Sequence, residues 1–284
     1  MEKYLRKFIP KFALYNYPIL VKTYEKYASI RYSRKFNQIL EFRNSSFVIG
    51  KDITLFPSVF LGVYEEKELD VLLGLEFPEE MVFWDVGANV GIYSVLFGKK
   101  FPAGKVIAFE PNISLHVLLS QNLDLNNVNN VRIENFALSN TKGVGQIETS
   151  KGRAGAGKIN STLAEEYGDE SFPIITGDMY VQDFPDAMPS LIKIDVEGHE
   201  PEVIEGISQV LREFKPILMI EVFSNLWDLN REEVWDRVLN DLFNIYGHGV
   251  LVSDGEILKI SEWNWRFLTG AMQTLILGCN LSKP

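Results

Sequence analysis

Asp85-Val-Gly-Ala-Asn-Val-Gly91 is the stretch that decides the fold, because apolar segments lead into it and out of it. Residues 81–84 precede it as an apolar run, and residues 92–97 predict a helix directly after it. A second apolar segment, Lys105-Val-Ile-Ala-Phe109, ends at Glu110. Glycines lack a Cβ, so the chain can turn sharply and a ligand can lie against bare backbone. The sequence therefore predicts a strand, a glycine turn, a helix and a second strand closed by a carboxylate.

The same stretch favours a ligand that carries adenosine but no phosphate groups. Glu110 follows Gly91 by 19 residues, close to the spacing of roughly 20 at which an acid meets ribose hydroxyls. A pyrophosphate site needs Gly-x-Gly-x-x-Gly, whereas Asn89 occupies the middle glycine position and the loop holds no basic residue. This disfavours an NAD-dependent oxidoreductase. S-adenosylmethionine fits better, because an acid such as Asp85 tolerates its sulfonium cation.

Carboxylates end four of the predicted strands. The acids are Asp85, Glu110, Asp195 and Glu221. In an open α/β sheet the ligand binds outside the carboxyl ends of the parallel strands. We therefore expect these acids to gather at one edge of a sheet, beside the ligand.

Five segments of the chain resemble the FkbM family of S-adenosylmethionine-dependent methyltransferases. They are Trp84-Asp-Val-Gly-Ala-Asn-Val-Gly-Ile-Tyr93, Val106-Ile-Ala-Phe-Glu-Pro-Asn112, Asn122-Leu-Asp-Leu-Asn126, Ala137-Leu-Ser139 and Ile192-Lys-Ile-Asp-Val-Glu-Gly-His-Glu200. Together they cover roughly residues 64–222, and Ile-Asp-Val-Glu-Gly is the most distinctive of them. The resemblance implies a class I methyltransferase (Rossmann-like) α/β fold, with a seven-stranded, mainly parallel sheet and helices on both faces. It also implies methyl transfer, usually to a hydroxyl of a sugar or another small natural product.

We expect S-adenosylmethionine to lie across the glycine turn, with ribose at the acid and adenine near residues 135–137. The predicted cofactor-binding residues are Asp85, Gly87, Ala88, Asn89, Gly91, Glu110, Pro111, Asn112, Phe136, Ala137 and Asp195. The catalytic candidates are Asp195, which ends the fourth strand, His199, which titrates nearest neutral pH, and Glu197. Stabilisation of a helix amino end explains Glu197 and Glu200 equally well. For His199, the alternative to a catalytic role is a hydrogen bond at the start of the helix.

A metal ion is not expected, because the sulfonium already activates the methyl group. Asp195, Glu197, Glu200 and Glu221 could still offer oxygen ligands to Mg²⁺ or Ca²⁺. Zinc is disfavoured, since one cysteine and three scattered histidines show no ligand spacing. A non-catalytic module that retains the fold for binding is the remaining alternative to an enzyme.

Charge is distributed unevenly along the chain. Residues 1–43 hold ten Lys or Arg, three acids and ten aromatic residues, whereas the whole chain carries a net charge of −10. The acidic body disfavours nucleic acid and leaves a small-molecule or glycan acceptor. We expect a cytoplasmic protein with a basic, aromatic cap and hairpin at 1–63 and a methyltransferase domain at 64–284. Residues 1–43 either pack on that domain or contact an anionic membrane peripherally. The oligomeric state is left open.

Local patterns predict the smaller elements. Residues 47–49 and 53–56 predict a hairpin, residues 65–75, 116–126, 201–214 and 232–242 predict helices, and residues 130–137 predict a strand. Residues 149–161 are rich in glycine and lysine and predict a mobile loop. There Arg153 or Lys158 would meet an anionic acceptor.

Deleting residues 1–43 separates the two interpretations of the basic segment. If the aromatic residues pack on the domain, deletion should lower the melting temperature or the solubility. If the segment instead docks on lipid, deletion should leave folding unchanged and abolish salt-sensitive binding to phosphatidylserine vesicles. We expect the first result; a fully stable, monomeric truncated protein would contradict it.

Overall fold

The structure is a computed structural model that describes residues 38–50, 55–60, 62, 64–150, 153–162, 171–223, 231–253, 256–264 and 272–279. Most of the basic segment 1–43, residues 51–54 of the expected hairpin, and the side chains of Arg153 and Lys158 lie outside the described part of the chain.

A small amino-terminal unit precedes the main sheet. It contains the hairpin strands β1 (Leu40–Phe42) and β2 (Ser45–Phe47) and the helices α1 (Leu55–Phe60) and α2 (Glu66–Gly74). The elements that follow are β3 (Val82–Val86), α3 (Ile92–Lys100), β4 (Lys105–Phe109), α4 (Ile113–Leu125), β5 (Val131–Glu134), β6 (Ala137–Leu138), β7 (Gly143–Ser150), β8 (Arg153–Thr162), β9 (Ser171–Ile175), α5 (Gly177–Asp183), a short 3₁₀ helix (Pro185–Ala187), β10 (Leu191–Ile194), α6 (Glu200–Gly206), α7 (Ser208–Phe214), β11 (Ile217–Phe223), α8 (Glu232–Tyr246), β12 (Gly249–Ser253), β13 (Glu256–Ile260) and β14 (Met272–Leu277).

Eight strands form the main sheet, in the order β13-β12-β14-β11-β10-β3-β4-β5. The five strands from β11 to β5 are mutually parallel, and β14 runs antiparallel to both of its neighbours. The mainly parallel sheet predicted from the sequence is confirmed. It has one strand more than the seven expected, because β13 pairs antiparallel with β12 at the edge.

The strands of this sheet are buried on both faces. Along β3, Phe83 belongs to one apolar core and Trp84 to another, as the pleat directs successive side chains to opposite sides. Side chains of α2, α3 and α4 fill the first core, and those of α5, α6, α7 and α8 fill the second. The predicted helices on both faces are therefore confirmed. Among the described residues, no helix combines the length and the apolarity needed to span a membrane.

The amino-terminal hairpin is not where the sequence predicted it. It occupies residues 40–47, and Leu55 and Phe56 of the expected second strand lie in α1 instead. Arg43 and Asn44 form the two-residue turn and both have positive φ, 49° and 58°. That conformation suits the right-handed twist of paired strands, and asparagine adopts it readily. Arg43 also donates a hydrogen bond to Asp70 of α2 at 2.6 Å.

Two asparagines, one in the last turn of α4 and one at its C-cap, hold this hairpin against the glycine turn. The buried Asn122 amide accepts from the Val48 N–H at 2.7 Å and donates to the Val48 and Val90 carbonyls at 3.0 and 2.8 Å. One turn later, Asn126 exchanges two hydrogen bonds with the backbone of Ser46. These contacts explain the segment Asn122-Leu-Asp-Leu-Asn126, which fastens the residues before the domain to the turn after β3.

Three other local predictions are corrected. The expected loop at 149–161 is largely strand, because β7 and β8 form a long antiparallel pair in a second sheet of order β6-β9-β7-β8. The expected strand 130–137 breaks after Glu134, where the chain passes from the main sheet to that second sheet. The helix expected at 201–214 divides at Ile207, next to Gly206, whose Cα packs against the Ser139 carbonyl.

Asn122→Ala should lower the free energy of unfolding by about 3 to 5 kcal/mol. The substitution leaves one N–H and two carbonyl groups buried without partners, each costing roughly 1 to 3 kcal/mol before the chain relaxes. Urea denaturation measures the difference, and Gln121→Ala on the exposed side of the same helix is the control. Equal stability of the two variants would contradict this account of the asparagine.

Candidate functional site

The glycine turn after β3 is shaped by close contact with β10. A Cβ added to Gly87 would lie 1.9 Å from the Asp195 carbonyl oxygen, and its φ is +78°. Gly91 begins α3 with a φ of +81° and packs on Leu119, which an added Cβ would meet at 2.8 Å. Asn89 between them also has positive φ, 54°. Only residues that tolerate this backbone can follow β3, which accounts for the pattern that the sequence showed.

The backbone N–H groups of this turn donate hydrogen bonds to acceptors within the protein. The N–H groups of Gly87 and Ala88 both donate to the Phe109 carbonyl at 3.1 Å, and that of Gly91 donates to the Ala88 carbonyl at 2.8 Å. The Asn89 N–H donates to Oε2 of Glu110 at 2.8 Å. The turn therefore ties the end of β3 to the end of β4.

Glu110 is held from two sides. Its second oxygen, Oε1, accepts from the Asn112 N–H at 2.8 Å, and the residue is 5% exposed. Burial raises the pKa of this carboxyl group to about 7, although the two backbone hydrogen bonds oppose the shift. Each carboxylate oxygen has a second lone pair, so Glu110 can still accept from ribose hydroxyls. Besides its predicted contact with ribose, Glu110 therefore stabilises the glycine turn through the N–H group of Asn89.

The other residues predicted to bind the cofactor follow β4 and β5, and those expected near adenine follow β5. Asn112 accepts from the Ser114 N–H at 3.0 Å and so caps α4, and Pro111 before it is partly exposed. Phe136 is also partly exposed, and its ring lies 5.7 Å from that of Phe109. Ala137 is buried at the start of β6. These residues stand at the carboxyl edge of β4 and β5, where an adenosine lying across the turn would extend.

Five ionisable residues meet at the carboxyl edge of β3, β10 and β11, and we name them the acid–lysine cluster: Glu65, Asp85, Lys193, Asp195 and Glu221. Lys193 Nζ lies 3.0 Å from Oδ2 of Asp195 and 3.8 Å from Oδ1 of Asp85. The same ammonium group lies over the ring of Tyr93, 5.1 Å from its centroid. Lys193 and Asp85 are 3% and 1% exposed, so this charge pair is buried.

Protons are divided unequally within the acid–lysine cluster. Burial raises the pKa of Asp195, but the Lys193 charge and hydrogen bonds from Glu221 and Lys193 bring it below the usual value. Burial and the neighbouring Asp195 raise the pKa of Glu221 well above its usual value. The hydrogen bond between the two carboxyl groups therefore favours Glu221 as the donor and an ionised Asp195 as the acceptor. Burial lowers the pKa of Lys193, yet Asp195, Asp85 and Glu65 more than compensate, and it stays charged.

The loop after β10 contains the catalytic candidates, and the structure separates them. Glu197 and Gly198 both have positive φ, 56° and 98°. The buried Glu200 accepts from the N–H groups of Val196 and Gly198 at 3.0 and 3.1 Å. Burial raises its pKa to about 7. Glu200 thus fixes the loop at the start of α6, and Glu197 occupies its tight turn.

The surroundings of His199 do not favour the role of a general base. Its Nε2 lies 2.9 Å from the Ser139 hydroxyl, within hydrogen-bond distance, whereas its Nδ1 lies 3.6 Å from Glu202 Oε2, beyond that distance. Burial lowers the pKa of His199, which is neutral at pH 7. The contact joins the segments Ala137-Leu-Ser139 and Ile192-Lys-Ile-Asp-Val-Glu-Gly-His-Glu200.

Sequence reasoning did not single out Lys193, Glu65, Tyr93 or Ser94, the last of which donates to Asp85 at 2.6 Å. A signal was present for Lys193, because a charged residue interrupts an otherwise apolar strand. No local signal marks Glu65, which lies 28 residues before its partner Tyr93. Among the residues that the structure describes, no three His, Cys, Asp or Glu side chains are arranged to hold a metal ion.

Comparisons with known proteins agree with this geometry. Residues 85–256 match the family model described as "Methyltransferase FkbM domain". The hexuronic acid methyltransferase AglP of Haloferax volcanii is 32% identical over 148 residues, covering 52% of this chain and 58% of AglP. Methyltransferase sdnD of Sordaria araneosa is 28% identical and covers 46% of this chain and 62% of its own length. The chain thus spans about three fifths of the length of these curated relatives.

Among solved structures, the methyltransferase FkbM of Methylobacillus flagellatus superposes with a TM-score of 0.46 and 16% identity, over 87% of this chain and 58% of that chain. The family model spans more than half of the 284 residues and includes the turn, Glu110 and the loop after β10. This chain therefore belongs to the FkbM methyltransferase family, and it has the mainly parallel sheet with helices on both faces that the resemblance implied.

Proposed function

We propose that this protein transfers a methyl group from S-adenosyl-L-methionine to a hydroxyl group of a sugar or another small molecule. One observation carries the proposal: a glycine turn that suits a ligand without phosphates adjoins a buried acid–lysine cluster at the carboxyl edge of the sheet. Membership of the FkbM family and a relative named for hexuronic acid methylation support the reaction and the class of acceptor.

The residues present fit S-adenosylmethionine. Asp85 Oδ1 is buried and accepts no hydrogen bond within the described part of the chain, and Lys193 Nζ approaches it only to 3.8 Å. An unsatisfied buried oxygen is costly, and a ligand cation or N–H group nearby would relieve that cost. Gly87 leaves no room for a side chain between the turn and Asp195. Glu110 would hold the ribose, the turn 85–91 the methionine part, and Phe136 and Ala137 the adenine.

A dinucleotide fits this turn poorly. Pyrophosphate binds to free backbone N–H groups at a helix start. Here the N–H groups of Gly87, Ala88, Asn89 and Gly91 all donate to acceptors of the protein. A pyrophosphate would also lie beside the carboxylate of Glu110, with no basic residue in the turn to offset the repulsion. The turn therefore disfavours an NAD-dependent oxidoreductase.

When bound, S-adenosylmethionine supplies a methyl carbon that its sulfonium has already activated for attack. The chain must then orient the acceptor hydroxyl and accept its proton. Asp195 follows β10 directly and stays ionised beside Lys193, so its free lone pairs can accept a hydrogen bond from a hydroxyl group of the acceptor. Glu221 donates to Asp195 and fixes the orientation of its carboxylate.

A small acceptor suits the charge of the protein. The net charge of −10 repels nucleic acid, and AglP acts on a hexuronic acid according to its name. The alternative, a module that binds S-adenosylmethionine without catalysis, predicts binding but no transfer. Isotope-labelled methyl transfer to a panel of uronic acids, neutral sugars and hydroxylated small molecules separates the two. Transfer to none of them, despite binding, would favour the module.

Glu110→Ala should weaken S-adenosylmethionine binding by about 1.5 to 3 kcal/mol, because charge-assisted hydrogen bonds to ribose are lost. With a pKa of about 7, wild-type Glu110 should also make the affinity decrease as the pH falls from 8 to 6, since a protonated carboxyl accepts less strongly. Glu110→Gln should remove most of this dependence. Titration calorimetry measures both effects.

The matched control for Glu110 is Glu134→Gln at the end of β5. The carboxylate of Glu134 already contacts Tyr180 and Arg132 at 2.7 and 2.6 Å, so we expect it to make no contact with the ligand. The affinity of Glu134→Gln for S-adenosylmethionine should therefore stay within about twofold of the wild-type value. Unchanged affinity in Glu110→Ala would remove the ribose assignment.

Asp195→Asn and Asp195→Ala should abolish methyl transfer while the fold is retained, because the acceptor loses its orienting carboxylate. Asp186→Asn is the control, since this exposed acid pairs with Lys105 at the start of β4. Transfer rates and circular dichroism are compared for the three variants. A chelator should leave the wild-type rate unchanged, because no step assigned here uses a metal. Full activity in Asp195→Ala would exclude this carboxylate from the chemistry.

A further inference from the structure

Glu65 precedes the family-matched residues 85–256, yet its side chain belongs to the acid–lysine cluster. It occupies the N-cap position of α2 with left-handed backbone angles, φ 38° and ψ 45°, and makes no side-chain capping bond. Its carboxylate is directed instead toward the sheet, where Oε2 accepts from the Tyr93 hydroxyl of α3 at 2.5 Å. Tyr64 provides a second hydrogen bond. Two tyrosines therefore orient a carboxylate that does not serve its own helix.

The position of Glu65 differs from that of the other acids in the cluster. Asp85 is buried, and Asp195 is engaged by Lys193 and by the proton of Glu221. Glu65 is partly exposed, as Asp195 is, but its carboxylate accepts hydrogen bonds from two tyrosine hydroxyls. Oδ1 of Asp85 is buried and accepts no hydrogen bond within the described part of the chain, so a polar ligand group that entered the cluster would satisfy it. Glu65 thus combines access with an orientation fixed from two sides.

The groups facing Glu65 come from every neighbouring element. They are Tyr64 before α2, Tyr93 of α3, Lys193 of β10, Asp195 after β10 and Glu221 of β11. Burial and the negative charge of Asp195 raise the pKa of Glu65, whereas Lys193 and the two tyrosines lower it, and the balance lies at about 7. A general base is most effective when its pKa lies near the working pH.

We propose that Glu65 is the catalytic base that accepts the proton of the reacting hydroxyl, while Asp195 orients the acceptor by accepting a hydrogen bond from a neighbouring hydroxyl group. This inference rests on the proposed function. It assigns proton transfer to a residue outside the part of the chain that the family model covers. Asp195 is the weaker base of the two, because Lys193 and Glu221 stabilise its ionised form. His199 is the weaker candidate, because it is buried and its Nε2 lies against the Ser139 hydroxyl.

In the proposed step, proton transfer to Glu65 accompanies formation of the new O–CH₃ bond. The O–H bond of the acceptor breaks, and its proton passes to the Glu65 carboxylate. The oxygen lone pair forms the new O–CH₃ bond as the C–S bond breaks, and the electron pair of that bond stays on sulfur. The sulfonium charge disappears, S-adenosylhomocysteine leaves neutral at sulfur, and Glu65 later returns its proton to water.

Glu65→Gln tests the proposal with little change in shape. We expect kcat to fall by about 10²- to 10⁴-fold, the usual contribution of a general base. The Kd for S-adenosylmethionine and the melting temperature should stay near the wild-type values. Glu66→Gln is the matched control, because the next residue of the same helix is exposed. Glu65→Asp, which retains a carboxylate, should recover part of the lost rate.

Two pH measurements distinguish a base from a structural residue. The wild-type kcat should rise with pH, with a midpoint near 7 as Glu65 loses its proton. Tyr93→Phe removes a hydrogen bond that stabilises the ionised carboxylate, so the midpoint should move to higher pH. NMR titration of ¹³C-labelled glutamate side chains, assigned with Glu65→Gln, should report the same shift in the absence of any acceptor.

Failure of this inference differs from failure of the proposed function. If the wild type transfers no methyl group to any acceptor, the proposed function fails. If the wild type is active and Glu65→Gln retains its rate and its pH midpoint, Glu65 is not the base. A Glu65 carboxyl that titrates below pH 5, unaffected by Tyr93→Phe, would overturn the proposal even without an activity assay.

Discussion

The contact between the Cα of Gly87 and the backbone of Asp195 is the constraint on which the rest of the site depends. An added Cβ would overlap the Asp195 carbonyl oxygen at 1.9 Å, so no side chain fits at this position. The contact lets the ends of β3 and β10 run side by side in parallel register. In that register Lys193 lies opposite Asp85, and both side chains point to the same face. A backbone contact thus determines which charges meet.

Once those charges meet in the interior, they must compensate one another. Lys193 faces Asp195, Asp85 and Glu65, and burial of the ammonium group would otherwise be unfavourable. Removing one partner of such a buried pair typically costs 3 to 5 kcal/mol, about as much as a sizeable apolar side chain contributes. An apolar cluster of the same volume would serve stability at least as well. In the proposed function, these charges bind the cofactor cation and take part in proton transfer.

Much of the fold could be predicted from the sequence, because the relevant signals are local. The turn at 85–91, the apolar strands and the acids that follow them mark the parallel sheet and its ligand edge. The long pair β7–β8 was mistaken for a loop, because its glycines and lysines are unfavourable to strands and its pairing is non-local. The hairpin at 40–47 was missed because its turn, Arg43-Asn44, lacks the glycine that usually marks such turns.

The site was predicted less completely than the fold. The acids at the strand ends were found, but Glu65 and Tyr93 lie on different helices and meet only after the chain has folded. His199 was chosen for its ordinary pKa, whereas burial against Ser139 and Glu202 decides its behaviour. The segment Asn122-Leu-Asp-Leu-Asn126 carried the family resemblance without revealing its purpose. In the structure, the side-chain amides of Asn122 and Asn126 hold the amino-terminal hairpin beside the turn.

The most direct test of the account is a crystal structure of the protein with bound S-adenosylhomocysteine. The account predicts that the ligand lies across residues 85–91, with its ribose hydroxyls within hydrogen-bond distance of the Glu110 carboxylate. It also predicts that the sulfur atom faces the acid–lysine cluster. A ligand bound elsewhere, or a ribose that leaves Glu110 with its backbone partners alone, would contradict the central claim that this edge of the sheet is the methyl-donor site.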